Sequence, residues 1–178
     1  ITPSTGRINM YGIAAGGVSE SGRADSWGKF GINYITATET ETKTAYSAVR
    51  YNGQAYISAL YYMYGYASAG AWIYQYIKVY DTSNWQLVGQ TSQTVLSQTV
   101  TASIPFVTES YQKTFTPNTD LYSMSVNFNA VQGHTYAVEI SVECQVAVSA
   151  GGGAIGSGLY NFWNTNGYYV QVDYISCT

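Results

Sequence analysis

The chain has 178 residues, 46% of them hydrophobic and only 10% charged, with a formal net charge of −3. That length suits one sizeable core and a single domain, while so few cations exclude the basic face that nucleic acid needs, unless the protein is a coat protein. With charge well below the usual quarter or so, the polar surface must be built from Ser, Thr, Asn, Gln, Gly and the hydroxyls of 19 tyrosines, a surface that favours association. Up to Lys113 seven basic residues stand against six acidic ones, and beyond it only Asp120, Glu139, Glu143 and Asp173 are charged. The chain begins at Ile1 and holds no run of about 18 apolar residues. A secreted, extracellular protein without a membrane span is therefore expected.

In chain order, the first 25 residues mix Ile8, Met10, Ile13 and Val18 with five glycines and small residues that give little to pack. Such a segment is a frayed tail, the first strand of its own sandwich, or a strand that finds its sheet in another molecule. Residues 1–18 are accordingly set apart from a domain covering 19–178.

Asn52-Gly53 predicts a tight turn between strands Lys43–Tyr51 and Gln54–Ala67, because both residues tolerate positive φ. The latter strand and Ala71–Tyr80 carry aromatic or apolar residues on both faces, as in Trp72-Ile73-Tyr74-Gln75-Tyr76. The second face must be covered by a loop, a ligand or another subunit. Asp81-Thr82-Ser83-Asn84 turns Ala71–Tyr80 back into Trp85–Gln90.

Leu121–Val131 alternates Tyr122, Met124, Val126, Phe128 and Ala130 against Ser123, Ser125, Asn127 and Asn129. Thr135–Ala150 repeats the pattern at greater length. Tyr136, Val138, Ile140, Val142, Cys144, Val146 and Val148 face a core, and Glu139, Ser141, Glu143 and Gln145 face water or a neighbouring molecule. Turns at Gln132-Gly133, at Gly151-Gly152-Gly153 and at Asn166-Gly167 would join Leu121–Val131, the long strand, Ala154–Trp163 and Tyr168–Ser176 into a meander. No apolar period of 3.6 residues occurs. The fold class is all-β, an antiparallel β-sandwich of jelly-roll or Ig-like type with little or no helix.

Two cysteines suit an oxidising compartment, and a Cys144–Cys177 disulfide would pin the last strand to the sheet. Ten asparagines include no Asn-x-Ser/Thr sequon, so N-glycosylation is not expected. The single histidine, His134, reads as a turn residue without a triad or zinc set around it. Glu139 and Glu143 lie roughly 13 Å apart on one strand face, beyond the carboxylate separations of about 5–9.5 Å that glycosidases use. Glu39 and Glu41 would be about 7 Å apart but lack an aromatic platform. No enzyme and no cofactor is expected. Tyr61, Tyr64, Trp72, Tyr74 and Tyr76, with Trp85 and Trp163, form a possible aromatic contact face for another subunit or a polysaccharide.

This combination, a nearly uncharged Tyr/Ser/Thr/Gly chain of β-strands behind a loosely packing N-terminal segment, resembles subunits of archaeal extracellular β-filaments of the thread and bundling-pilus class. The resemblance implies that each subunit's N-terminal strand inserts into its neighbour's sandwich, so that the partners are copies of itself in a helical homopolymer. Arg7 to Ala14 would be the donor segment, with either Ile8 and Met10 or Tyr11 and Ile13 as its buried residues and Gly16-Gly17 as a hinge. A secreted carbohydrate-binding module and a viral jelly-roll coat protein are the alternatives.

Overall fold

The computed structural model describes residues 6–17, 20–61, 65–163 and 167–178. Among them there is no helix, and eleven strands form two antiparallel sheets packed face to face, the sandwich that the alternating sequence predicts. One sheet is built from four long strands in the order β3 (Ser21–Thr36), β9 (Thr135–Gly151), β5 (Tyr66–Asp81) and β6 (Gln86–Ala102). At about 3.3 Å per residue, strands of 16 or 17 residues give it a length of roughly 50 Å.

The second sheet has the same four rows, but three of them are broken. β4 (Glu41–Leu60) runs unbroken for 20 residues. On one side its two halves pair with β8 (Leu121–Ala130) and β7 (Thr108–Phe115), and on the other with β11 (Tyr169–Cys177) and β10 (Ile155–Asn161). The outermost row is β1 (Arg7–Ile8) beside β11, then β2 (Tyr11–Gly17) beside β10. The interruptions, at Asn9-Met10, between Asn161 and Tyr169, and between Phe115 and Leu121, all lie at the level of Asn52-Gly53 on β4.

Two expected turns are therefore corrected. Asn52-Gly53 lies inside β4, without positive φ at either residue. Glycine is needed there for space: a Cβ would sit 2.4 Å from both the Asn161 carbonyl and Phe162 Cδ1. Gly167 does adopt positive φ (73°), but β10 and β11 run in line along β4 and do not pair with each other. The meander is corrected as well. The turn at Gly133 leads from β8 in one sheet to β9 in the other, and the turn through Gly152 and Gly153 leads back again. Asp81–Asn84 does form the β5–β6 hairpin, with Asp81 opposite Gln86.

The core follows the predicted stripes. Tyr136, Val138, Ile140, Val142, Cys144, Val146 and Val148 of β9 are all buried, as are Phe128 and Ala130 of β8. At the level of the broken rows the strand ends turn aromatic rings inward. Phe115 and Phe162 lie 5.5 Å apart by ring centroid and each lies 5.9 Å from Tyr51. Gln75, fully buried on β5, is held between the sheets: it accepts from the Tyr51 hydroxyl and donates to the Tyr122 carbonyl, both at 3.3 Å. A buried amide is tolerable only with such partners.

The expected disulfide is corrected too, since both cysteines are free thiols. Cys144 points into the core in the middle of β9, beside Met10, while Cys177 ends β11 opposite Ala45 in the other sheet.

Candidate assembly edge and aromatic face

The N-terminal segment occupies the outer row of its own sheet. Along it Ile8, Met10, Gly12, Ala14 and Gly16 face inward, because strand side chains alternate. Of the two alternate buried pairs, Ile8 and Met10 face the core, Met10 being 3% exposed, while Tyr11 and Ile13 face outward at 48% and 56% exposure. The groove beneath is shaped to this row. Ile8 Cδ1 fills the space a side chain at Gly28 would need, and Met10 Sδ lies 4.0 Å from Cys144 Sγ. Gly12 lies directly over the Tyr160 ring, leaving no room for a Cβ.

The row contributes little apolar mass. Met10 and Ala14 are its fully buried apolar side chains, with Ile8 partly buried, so its apolar gain is a few kcal/mol at about 25 cal/mol per Å2. Its other anchor is the ladder: seven residue pairs between β2 and β10 and two between β1 and β11. A strand held by backbone pairing and a few knobs in notches can be supplied by any copy of the same segment. On the outer surface the row continues into an apolar strip, with Ile13, Leu159 and Tyr56 side by side across β2, β10 and β4, and Ile155 beside Leu60.

Part of the expected aromatic set shares one surface. Trp72, Tyr74 and Tyr76 alternate outward along β5, beside Gln145, Glu143 and Ser141 of β9. Across β9 stands Trp27 of β3, whose ring stacks on Tyr76 at 5.6 Å and 25°. The Tyr76 hydroxyl donates to Glu143 Oε2 at 2.9 Å, and Gln145 also donates to this carboxylate. Burial, then the hydrogen bond to Glu143, push the Tyr76 phenol up to about 12. Lys29 reaches Glu139 at 3.2 Å. Glu139 and Glu143 are thus not the solvent-facing charges the alternation predicts; at 8% and 7% exposure they lie beneath the long side chains of the two flanking strands.

Other members of the expected face lie elsewhere. Tyr61 follows β4 in the opposite sheet, packed against a small alanine cluster, and its carbonyl accepts from the Phe106 amide at 2.7 Å. Tyr64 lies outside the described residues. Trp85 sits at the β5–β6 turn and Trp163 beyond β10, so Trp72, Trp85 and Trp163 do not form one platform. Trp27 was missed because Ser26-Trp27-Gly28 offers no aromatic neighbour in sequence; its companions come from β5 and β9. His134 sits in its predicted turn but also reaches Asp81 at 2.7 Å, a pairing across 53 residues that spacing does not reveal. Glu41 is paired with Lys43 at 2.5 Å, and Glu39 is exposed.

No family model matches the chain, and no curated protein matches it. Among solved structures, it is similar to chains of the T13 IBDV viral particle (8% identity, 94% of this chain and 40% of that one, TM-score 0.18). Chains of the infectious bursal disease virus Gt strain (10%, 92% and 42%, 0.16) and Gx strain (11%, 92% and 41%, 0.17) are similar to the same degree. The chain spans about two fifths of the length of these viral chains, and likenesses at such scores carry no argument about function.

Proposed function

We propose that the protein is the structural subunit of an extracellular filament or pilus, polymerising head-to-tail by donating its N-terminal row to the next subunit. The observation that carries this reading is the seating of Arg7–Gly17. It is an outer row, matched knob for notch to its groove, and it leads into β3 through the short link between Gly17 and Ser21. In an exchanged arrangement the same contacts form between chains. An unfilled groove would leave the β10 edge and the apolar wall around Cys144 to be covered by the next donor. Insertion of this kind is heterologous and does not close on itself, so it extends into a fibre.

The nearly uncharged, tyrosine-rich surface supports the reading, because charge repulsion between subunits is small. The strip formed by Ile13, Leu159, Tyr56 and Ile155 would then lie along the fibre and serve lateral contact. The test is electron microscopy of the full chain, denatured and slowly refolded, beside a version lacking residues 1–17. Filaments from the first and discrete particles or aggregates from the second are expected. Monomers from the full chain under all refolding conditions would overturn the proposal.

A further inference from the structure

Where the outer row breaks at Asn9-Met10, a cleft of about 480 Å3 opens at the side of the sandwich, lined by Asn9, Met10, Tyr11, Ser26, Trp27, Asn161 and Trp163. That volume lies within the range of small-molecule sites. Its three aromatic rings are half-exposed, Trp27 at 56%, Trp163 at 49% and Tyr11 at 48%, with one face of Trp27 packed on Tyr76. Each comes from a different strand or strand end, so the cluster is a product of the fold.

Between the rings the lining supplies amides and a hydroxyl. Asn161 is fixed, its Oδ1 accepting from the Trp163 amide at 3.0 Å, which leaves its amino group to donate. The Ser26 and Tyr160 hydroxyls lie close together beneath the cleft wall, both buried. Among the described residues no carboxylate, ammonium or guanidinium lines the cleft.

Aromatic faces with amides and hydroxyls between them, and no charge, match a ligand that is apolar on its ring faces, rich in hydroxyls at its edges and uncharged. We propose that this cleft binds a neutral oligosaccharide, with sugar rings stacked on Trp27 and Trp163 and their hydroxyls bonded to Asn9 and Asn161. A charged ligand would find no counter-charge among the described residues, and a purely hydrocarbon one would leave the amides unpaired. Asn9, Met10 and Tyr11 belong to the outer row, so the same cleft forms within one chain or, after strand exchange, between two, and sugar binding is tested independently of exchange.

The test is titration calorimetry of the full chain with cellohexaose, mannohexaose and laminarihexaose, with polygalacturonate as the charged comparison. At least one neutral hexasaccharide is expected to bind. Trp27→Ala and Trp163→Ala should each weaken binding by about tenfold or more, and Trp85→Ala, exposed at a distant turn, should leave it unchanged. Circular dichroism would establish that the variants remain folded, and Trp27→Phe, which keeps a ring, should retain more affinity than Trp27→Ala. Failure of all three neutral sugars to bind, preference for polygalacturonate, or equal loss in Trp85→Ala would overturn the proposal.

Discussion

His134 Nδ1 lies 2.7 Å from Asp81 Oδ2, tying the turn that opens β9 to the turn that closes β5. Asp81 Oδ1 in turn accepts from the amide and hydroxyl of Ser83 at 3.0 and 2.7 Å. The bonds from His134 and then Ser83 favour the ionised carboxyl and bring Asp81 down to about 2. Because the folded value lies below the unfolded one of about 3.9, this contribution is complete above about pH 4 and is lost as pH falls through about 2. Asp81→Asn should therefore lower Tm most above about pH 4, with the gap to the parent closing toward about pH 2. Thermal melts of both proteins across that interval check the sign; a gap that does not vary with pH would mean the carboxylate charge contributes nothing.

The two thiols should behave differently. Burial raises the Cys144 thiol far above its ordinary range, while Cys177, half-buried, is raised by burial and drawn back by Lys43. Intact mass after iodoacetamide should show one slow adduct on the native protein, at Cys177, and two after denaturation without reductant. A protein that takes up no label when denatured would carry the bridge after all.

Gly53→Ala places a methyl group 2.4 Å from the Asn161 carbonyl and Phe162, at the centre of the aromatic cluster around Tyr51. A cost of about 1–3 kcal/mol is expected from urea unfolding, against less than about 0.5 kcal/mol for Gly17→Ala, whose new methyl would meet nothing nearer than 3.9 Å.

Strand donation makes a prediction about face. Gly12→Val drives side-chain atoms into the Tyr160 ring and should abolish filament growth, whereas Ile13→Ser, outward-facing, should leave growth of single filaments intact. Sedimentation of refolded protein separates the two. If Ile13→Ser blocks growth and Gly12→Val does not, the donated strand uses the opposite register.

The sequence carried the sandwich because its strands alternate so cleanly: every inward residue of Tyr136–Val148 and of Tyr122–Ala130 faces the core as read. It misled where one residue type serves two physical purposes. Asn52-Gly53 resembles a hairpin, yet glycine is there to admit Phe162, a residue more than a hundred positions away. Connectivity failed for a related reason: a turn shows that the chain reverses, not whether it returns to the same sheet, and those at Gly133 and Gly152-Gly153 change sheets. The outward faces were least legible, since burial of Glu139 and Glu143 depends on Trp27, Lys29 and Tyr76 reaching over from strands whose order the sequence does not state.

The alignment of the row breaks bears on how the molecule would carry force. Along the strand direction, four unbroken strands in one sheet and β4 in the other resist tension through many backbone bonds loaded together in shear. The remaining rows of the second sheet cross the level of Gly53 through connecting segments outside the strands, so there the regular ladder is interrupted and load falls chiefly on β4 and the aromatic plug of Tyr51, Phe115 and Phe162. Pulled lengthwise, the sandwich has a stiff side and a compliant side, so it should bend about that level before it yields.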